Sequence, residues 1–480
     1  MQKYLVLIVT LTLTLLAGCG GGGSVSVSGS SNSSGGSGGG STVCTASSTV
    51  SGSTSGAGNV VAVTVDQGPA QYQKDCNAAL NTLYATVTVC VPGHTDSSHC
   101  QTIDHVQVDT GSSGLRILSS VLTLGVGSSG GFQYLSSGNT GIGVMAECMQ
   151  YVDGNAWGPI VSADLYIGGA GGAGKGEMAA GIPMQVIGTG SYSLPSGCTG
   201  TTENTVDSFG ANGIIGIGSF QQDCGVCCTS GWSSAGCGGN AGLYYSCTSK
   251  TACAQTTADL AQQVSNPVSS FATDNNGVII SLPGVGSSGA ARTLTGTLTF
   301  GIGTASNNVQ PGAWTLLWLD PDLAEFTTLF NGKSFRSSYI DSGSNALYFP
   351  ASGNSALVSC SSGTGSGFYC PSSTQSLSAT LNTYPATGET GGASSYAVSF
   401  GVGNAGTLFN TYATYAVFST LAASSSSVAA DSSKSGDDVF DWGAPFFYGR
   451  DVYNAIQPGT DITASPYVAF VSNSSSVLNQ

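Results

Sequence analysis

One short motif constrains this chain more than anything else in it, because it occurs twice in matching surroundings. The first copy lies in Val106-Gln107-Val108-Asp109-Thr110-Gly111-Ser112-Ser113-Gly114-Leu115-Arg116-Ile117. The second lies in Ser338-Tyr339-Ile340-Asp341-Ser342-Gly343-Ser344-Asn345-Ala346-Leu347-Tyr348-Phe349. Each predicts a β-strand that ends in a carboxylate and turns on a glycine, with the hydroxyls on either side of the glycine holding that carboxylate. Downstream of the first copy comes Gly213-Ile214-Ile215-Gly216, and at nearly the same distance from the second comes Phe440-Asp441-Trp442-Gly443. The chain therefore reads as two related halves. Two halves that each contribute one Asp imply two carboxyls facing each other across a pseudo-dyad. Carboxyls held that close share a proton instead of both ionising, so the pair offers an acid and a base together.

Asp-Thr/Ser-Gly-Ser occurring twice, each time followed by two hydrophobic residues and a glycine, resembles the pepsin-like aspartic proteases. The ending Phe440-Asp441-Trp442-Gly443-Ala444-Pro445-Phe446-Phe447-Tyr448-Gly449-Arg450 is similar to an uncharacterised bacterial envelope family of that fold. The resemblance covers about residues 59–475. It implies a mainly β, bilobal double β-barrel with pseudo-twofold symmetry, and peptide-bond hydrolysis by Asp109, Asp341 and a bound water. Thr110, Gly111, Ser112, Ser342, Gly343 and Ser344 would then support the two catalytic loops, with the Ser112 and Ser344 hydroxyls orienting the outer carboxylate oxygens. It implies no cofactor and no metal.

Between the two strands of the first half's site, Tyr151-Val152-Asp153-Gly154-Asn155-Ala156-Trp157-Gly158-Pro159 reads as strand, turn, strand: a hairpin with a mobile tip. By resemblance it is the flap over the cleft. Tyr151 falls on the flap tyrosine, and Gly154 and Trp157 lie beside it on the substrate-binding side. Two positions depart from the family pattern. Arg116 stands where the family has a Trp that hydrogen-bonds the flap tyrosine. Its guanidinium is expected to donate to the Tyr151 hydroxyl and, as a cation near the dyad, to shift the working pH downward. Asp441 stands where an apolar residue is expected, which requires either a partner such as Arg450 or Arg336, or a proton of its own.

Composition sets the remaining limits. Charged residues are 7% of the chain and the formal net charge is -15, so no basic surface exists to meet a nucleic acid. Hydrophobic residues are nonetheless 40%, and the 72 glycines punctuate short Val/Ile/Thr/Tyr runs, which points to β structure. At the N-terminus, Lys3 precedes an apolar run, Tyr4 to Leu16, too short to cross a bilayer. Leu16-Ala17-Gly18-Cys19 resembles a bacterial lipobox. The expected organisation is a signal peptide over 1–18, lipid on Cys19 with a Gly/Ser-rich tether over 19–58, an N-terminal lobe over 59–306 and a C-terminal lobe over 307–480. The expected location is the bacterial cell envelope, on the outer membrane, with the lipid as the membrane contact and a peptide or protein as substrate.

Without Cys19, 14 of the 15 cysteines remain, an even number that favours disulfides in an exported chain. Cys90 and Cys100 flank one loop and Cys360 and Cys370 another, while six cysteines crowd an insertion over 219–256. There a Cys-x2-Cys pair is open to two readings, zinc or a stapled surface insertion. His94, His99 and His105 cluster before Asp109 and read as loop and strand-surface residues. Pro350 to Val358 reads as a short helix and Tyr453 to Ile456 as the last strand. The reading that competes with an enzyme is an inactive module of the same fold, binding peptides or glycans at the envelope.

Overall fold

The computed structural model describes residues 57–73, 78–137, 143–151, 154–169, 172–230, 243–384, 394–425, 438–458 and 465–473. The expected signal peptide, Cys19 and nearly all of the tether lie outside the described residues. The protein is mainly β, 43% strand against 9% helix, and its strands form two barrel-like sheets.

The β-branched and aromatic runs form strands because such side chains pack well on a pleated, half-buried surface. In the first half these are β1 (Val60–Val65), β2 (Leu83–Cys90), β3 (Cys100–Asp109), β4 (Ser113–Leu118), β5 (Val144–Gln150), β6 (Asn155–Ile167), β7 (Glu177–Ile187) and β8 (Gly213–Ile217). The order β6-β7-β4-β8-β3-β2 closes on itself, because β2 also pairs with β6, Thr88 opposite Tyr166. Next come β9 (Tyr244–Ser249) and β10 (Ala252–Gln255), which extend the sheet outward from β5, then β11 (Gly277–Leu282), β12 (Ala290–Ala291) and β13 (Leu294–Phe300).

The second half carries β14 (Thr315–Trp318), β15 (Phe326–Phe330), β16 (Lys333–Ile340), β17 (Leu347–Tyr348), β18 (Gln375–Asn382) and β19 (Ser395–Val402). After these come β20 (Val417–Phe418), β21 (Ala422–Ala423), β22 (Val439–Trp442), β23 (Arg450–Ala455) and β24 (Tyr467–Ser472). Seven of them form the second sheet, in the order β19-β18-β15-β16-β22-β17-β21.

The two sheets repeat one topology. In the first, β8 is inserted between β3, its parallel neighbour, and β4, its antiparallel one. In the second, β22 is inserted in the same way between β16 and β17. The repeat continues outward, since β4 pairs in parallel with β7 as β17 does with β21. This explains the glycine that ends each apolar stretch. A Cβ on Gly216 would collide with Ser112 and Ser113, and one on Gly443 with the backbone of Ser344 and Ala346. The inserted strand can therefore pass the Asp loop only as glycine.

Six antiparallel strands, β1-β13-β11-β23-β24-β14, join the halves, the first three from one side of the repeat and the last three from the other. One apolar cluster runs through both barrel-like sheets, including Val108, Leu115 and Ile215 from the first and Ile340, Phe440 and Trp442 from the second. The segment between β1 and β2 also crosses over. Asn81, fully buried at φ 53°, donates from its backbone N–H to Ala416 O (2.7 Å) and from its side chain to Asn345 O (2.8 Å) and Phe418 O (2.9 Å). Its carbonyl oxygen accepts from Phe418 N–H (2.7 Å) and the Tyr448 hydroxyl (2.8 Å).

Three sequence expectations are corrected. Pro350 to Val358 is a run of turns, because Ser352 and Gly353 both take positive φ and break any helix. The Tyr453 strand is followed by another, β24, which the Pro- and Ser-containing stretch before it obscured. The cysteine-rich insertion is partly core: Cys228, Leu243 and Tyr244 pack with Met145, Ile160 and Val264. In it Cys224 is bonded to Cys228 and Cys247 to Cys253, so Cys224 is not available to a Cys-x2-Cys zinc pair. Cys90–Cys100, Cys148–Cys198 and Cys360–Cys370 are paired as well.

Candidate active site

Asp109 ends β3, and Asp341 follows directly on β16. Because the two strands occupy equivalent places in the repeat, their ends meet at the junction of the halves. Both carboxyls are fully buried and hydrogen-bonded to each other. Each is held by the same two groups of its own loop. Gly111 N–H donates to Asp109 Oδ1 (2.7 Å) and the Ser112 hydroxyl to Asp109 Oδ2. Gly343 N–H donates to Asp341 Oδ1 (2.7 Å) and the Ser344 hydroxyl to Asp341 Oδ2 (3.0 Å). Each carboxyl rests on the other loop's glycine. A Cβ on Gly111 would sit 2.7 Å from the Asp341 carboxyl, and one on Gly343 would run into Asp109.

Thr110 and Ser342 do something the sequence did not suggest. Instead of holding a carboxylate, each reaches into the other half. The Thr110 hydroxyl donates to Ile340 O (3.1 Å) and accepts from Ser342 N–H (2.9 Å). The Ser342 hydroxyl donates to Val108 O (2.8 Å) and accepts from Thr110 N–H (3.1 Å). Four reciprocal bonds thus lock the two loops together, and Gln107 adds a fifth cross-half bond to Gly343 O (2.9 Å). The expectation that the hydroxyls on both sides of the glycine serve the carboxylate holds only for Ser112 and Ser344.

Burial raises both carboxyls above their ordinary range, Asp341 well above it. The bond between them works in opposite senses, holding Asp109 down and Asp341 up. The pair therefore keeps one proton beyond the pH at which free carboxyls lose theirs, with Asp341 the more reluctant to ionise. This reverses the expectation that Arg116 shifts the dyad downward. Arg116 does pull Asp109 down, but burial outweighs it.

A third carboxyl joins the pair. Asp441 on β22 is buried and hydrogen-bonds Ser344, and Asp109 is close enough to act on it electrostatically. Neither cation suggested by the sequence is its partner. Arg336 is exposed on β16, and Arg450 donates to Phe446 O with its guanidinium 4.5 Å from the Phe446 ring centre. Burial, with the nearby Asp109, raises Asp441 well above the carboxylate range. Ser344, which donates to Asp341, also lies against Asp441 and partly offsets the effect of burial there.

The hairpin of β5 and β6 forms as expected, with Gln150 opposite Asn155 next to its turn, and the start of β6 is tied to a neighbouring segment; residues 152–153 at its tip lie outside the described residues. Asn155 N–H donates to Thr201 O (2.7 Å) and Glu203 N–H to Asn155 O (2.8 Å), while Cys148–Cys198 anchors the hairpin to the same segment. Gly154 lies against that segment, where a Cβ would meet Thr201 O and Glu203. Tyr151 is buried edge-on to Phe209, in a cluster with Tyr72 and Tyr84. Trp157 packs elsewhere, against Tyr245 beside Cys148 and Cys198, and its indole N–H donates to Tyr192 O (3.0 Å). Trp157 thus belongs to a different cluster from Tyr151.

Arg116 is held by two residues the sequence reading passed over. Its Nη2 donates to Glu147 Oε1 (2.7 Å) and Asp223 Oδ2 (2.8 Å), and its Nη1 to Ser113 O (2.8 Å); all three charged side chains are fully buried. Tyr151 is an electrostatic neighbour of the same guanidinium. Two carboxyls face one cation, and Asp223 resolves the excess: burial, with Glu147 beside it, raises it well above its usual range. The Tyr244 hydroxyl completes the set, donating to Asp223 Oδ1 (2.6 Å). A usable signal existed. In a chain with 7% charged residues, Glu147 inside an apolar strand demands a buried cation, and Arg116 is one.

A search of curated proteins finds none that matches the chain. Residues 55–470 match a family described as a protein of unknown function, DUF3443, and so span both sheets, both Asp loops and the β5–β6 hairpin. The chain belongs to that family, DUF3443.

Proposed function

We propose that this protein is a pepsin-like aspartic endopeptidase, held at the bacterial cell envelope by lipid on Cys19. The observation that carries the reading is the Asp109–Asp341 pair, supported by the same donors on both sides and locked by the Thr110–Ser342 exchange. In this reading Asp109, the easier to ionise, takes a proton from a water as it attacks the scissile carbonyl. Asp341 gives its proton to the carbonyl oxygen; Asp109 then passes the proton it took from water to the leaving nitrogen as the carbon–nitrogen bond breaks, and the collapsing diol returns a proton to Asp341. Ser112 and Ser344 keep the outer oxygens oriented, and Tyr151 belongs to the flap that closes on the substrate.

One observation favours the second reading, an inactive envelope module of the same fold that binds peptides or glycans. Both carboxyls are fully buried, and the hairpin is tied through Cys148 and Asn155 to residues 198–203. The deciding experiment measures cleavage of an unfolded protein substrate from pH 3 to pH 8, by wild type and by the Asp109→Asn and Asp341→Asn variants. The enzyme reading expects cleavage by the wild type, blocked by a pepstatin-type inhibitor and reduced to background in each variant. Cleavage that persists in Asp341→Asn rejects the dyad, and a wild type inert at every pH leaves the binding module. The anchor is tested by fatty-acid labelling, expected in the wild type and lost in Cys19→Ser.

A further inference from the structure

The turn between β2 and β3 gathers two of the three histidines in the chain. Its backbone is settled by covalent and hydrogen bonds. Cys90–Cys100 ties its ends, Val91 N–H donates to His99 O (2.9 Å), His94 N–H to Val91 O (3.1 Å), and His99 N–H to Asp96 O (3.1 Å). Gly93 N–H donates to Asp164 Oδ2 on β6 (2.7 Å), which docks the turn on the barrel. Three side chains converge on this frame. His94 Nδ1 is 3.5 Å from Asp96 Oδ2, and His99 Nδ1 is 2.9 Å from Asp96 Oδ1. All the donor atoms lie within 4.8 Å of one another, and the two imidazoles stack with centres 3.9 Å apart.

We propose that His94, Asp96 and His99 form a binding site for a divalent first-row transition ion of the zinc, nickel or copper class. Donors bound to one such ion at about 2.0–2.2 Å with tetrahedral angles lie roughly 3.4 Å apart, and the two imidazole–carboxylate spacings bracket that value. Two imidazole nitrogens beside one carboxylate make a ligand set suited to a single dication. Two nitrogens and one oxygen select against calcium and magnesium, which take oxygen ligands. The turn is at the surface, with His94 and Asp96 about half exposed, so the remaining coordination positions face solvent and are open to water or to a donor from outside. The site is distinct from the Asp109–Asp341 pair and does not depend on the protease reading.

The test titrates the metal-stripped full chain with zinc chloride alone by calorimetry at pH 7.5, repeated at pH 5.5 and with calcium chloride. The expected result is one zinc per chain, bound at micromolar or tighter, with no saturable calcium binding. The affinity should fall at least tenfold at pH 5.5, where the imidazoles must lose protons to bind. His94→Ala, His99→Ala and Asp96→Asn should each weaken binding at least tenfold, with His94→Gln and His99→Gln as replacements where an alanine variant does not fold. No saturable zinc binding by the wild type, or binding unchanged in the double histidine variant, overturns the proposal.

Discussion

Replacing Asp441 with Asn should make the protein more stable, increasingly so as the pH rises. Asp441 is buried with no cation paired to it among the described residues, and burial, with Asp109 nearby, raises its pKa well above the ordinary carboxylate value. The folded state then keeps a proton that the unfolded state releases above about pH 4. Such a group lowers stability as pH rises, by about 1.4 kcal/mol per pH unit for one proton, until the folded group itself ionises. Asn has nearly the same shape, is neutral at every pH, and its amide can still bond the Ser344 hydroxyl. Urea denaturation of both proteins at half-unit steps from pH 4 to pH 8 measures the difference. Asp441→Asn should match the wild type near pH 4 and gain on it with the stated slope. Parallel curves, or a variant less stable at pH 7, would mean that Asp441 is ionised and paired in the fold, and the argument from burial would fail.

His105, on β3, makes the opposite case. Burial alone would lower it, but Asp104 and Asp66, 3.3 and 3.4 Å away, raise it to about 9. Its stabilisation is complete below the unfolded value of about 6.5 and is lost as pH rises through about 9, so His105→Gln should flatten the alkaline fall in urea midpoint over that window. Arg116→Met leaves Glu147 and Asp223 buried without their cation and should cost about 3–5 kcal/mol, more at pH 8 than at pH 5; a loss under 1 kcal/mol at pH 8 would contradict the buried-network account. Thr110→Val removes the donor to Ile340 O and strands Ser342 N–H, and should cost about 2 kcal/mol or more by denaturation, with an effect within 0.5 kcal/mol refuting the cross-half lock.

What the sequence revealed follows from how the information is spread along the chain. Asp109 and Asp341 were legible as partners because each carries its own copy of the motif. Ser112 and Ser344 were legible because they act three residues from the group they hold. Thr110 and Ser342 directly follow the aspartates, yet their partners are in the other half, and nothing local distinguishes the two hydroxyls. The Arg116 network was harder still. Its members lie on β4, on β5 and beside Cys224, three elements with no shared periodicity, brought together only by the sheet order and the Tyr244 strand. Asp441 was conspicuous as a charge in an apolar run, but its raised pKa follows from burial beside Asp109, which no local pattern shows. Trp157 was assigned to the Tyr151 side because strand alternation depends on register, and Trp157 lies opposite Cys148.

Asn81 has a consequence for when the two carboxyls can meet. The residue comes off the ribosome early, but the groups that bond it, at 345, 416, 418 and 448, come up to 367 positions later. The aspartates themselves are separated by more than two hundred residues, and the strands that join the barrels include β23 and β24 near the end of the described chain. Contacts of such long range are slow to form and are rewarded only once the intervening loop has closed. A nascent chain that displays its first Asp loop therefore carries half a site, with Thr110 lacking its exchange partner. Truncation anywhere before Tyr448 leaves Asn81 without one of its bonds. The architecture thus makes completion of synthesis a condition for assembling the pair, a form of timing that needs no separate inhibitory segment.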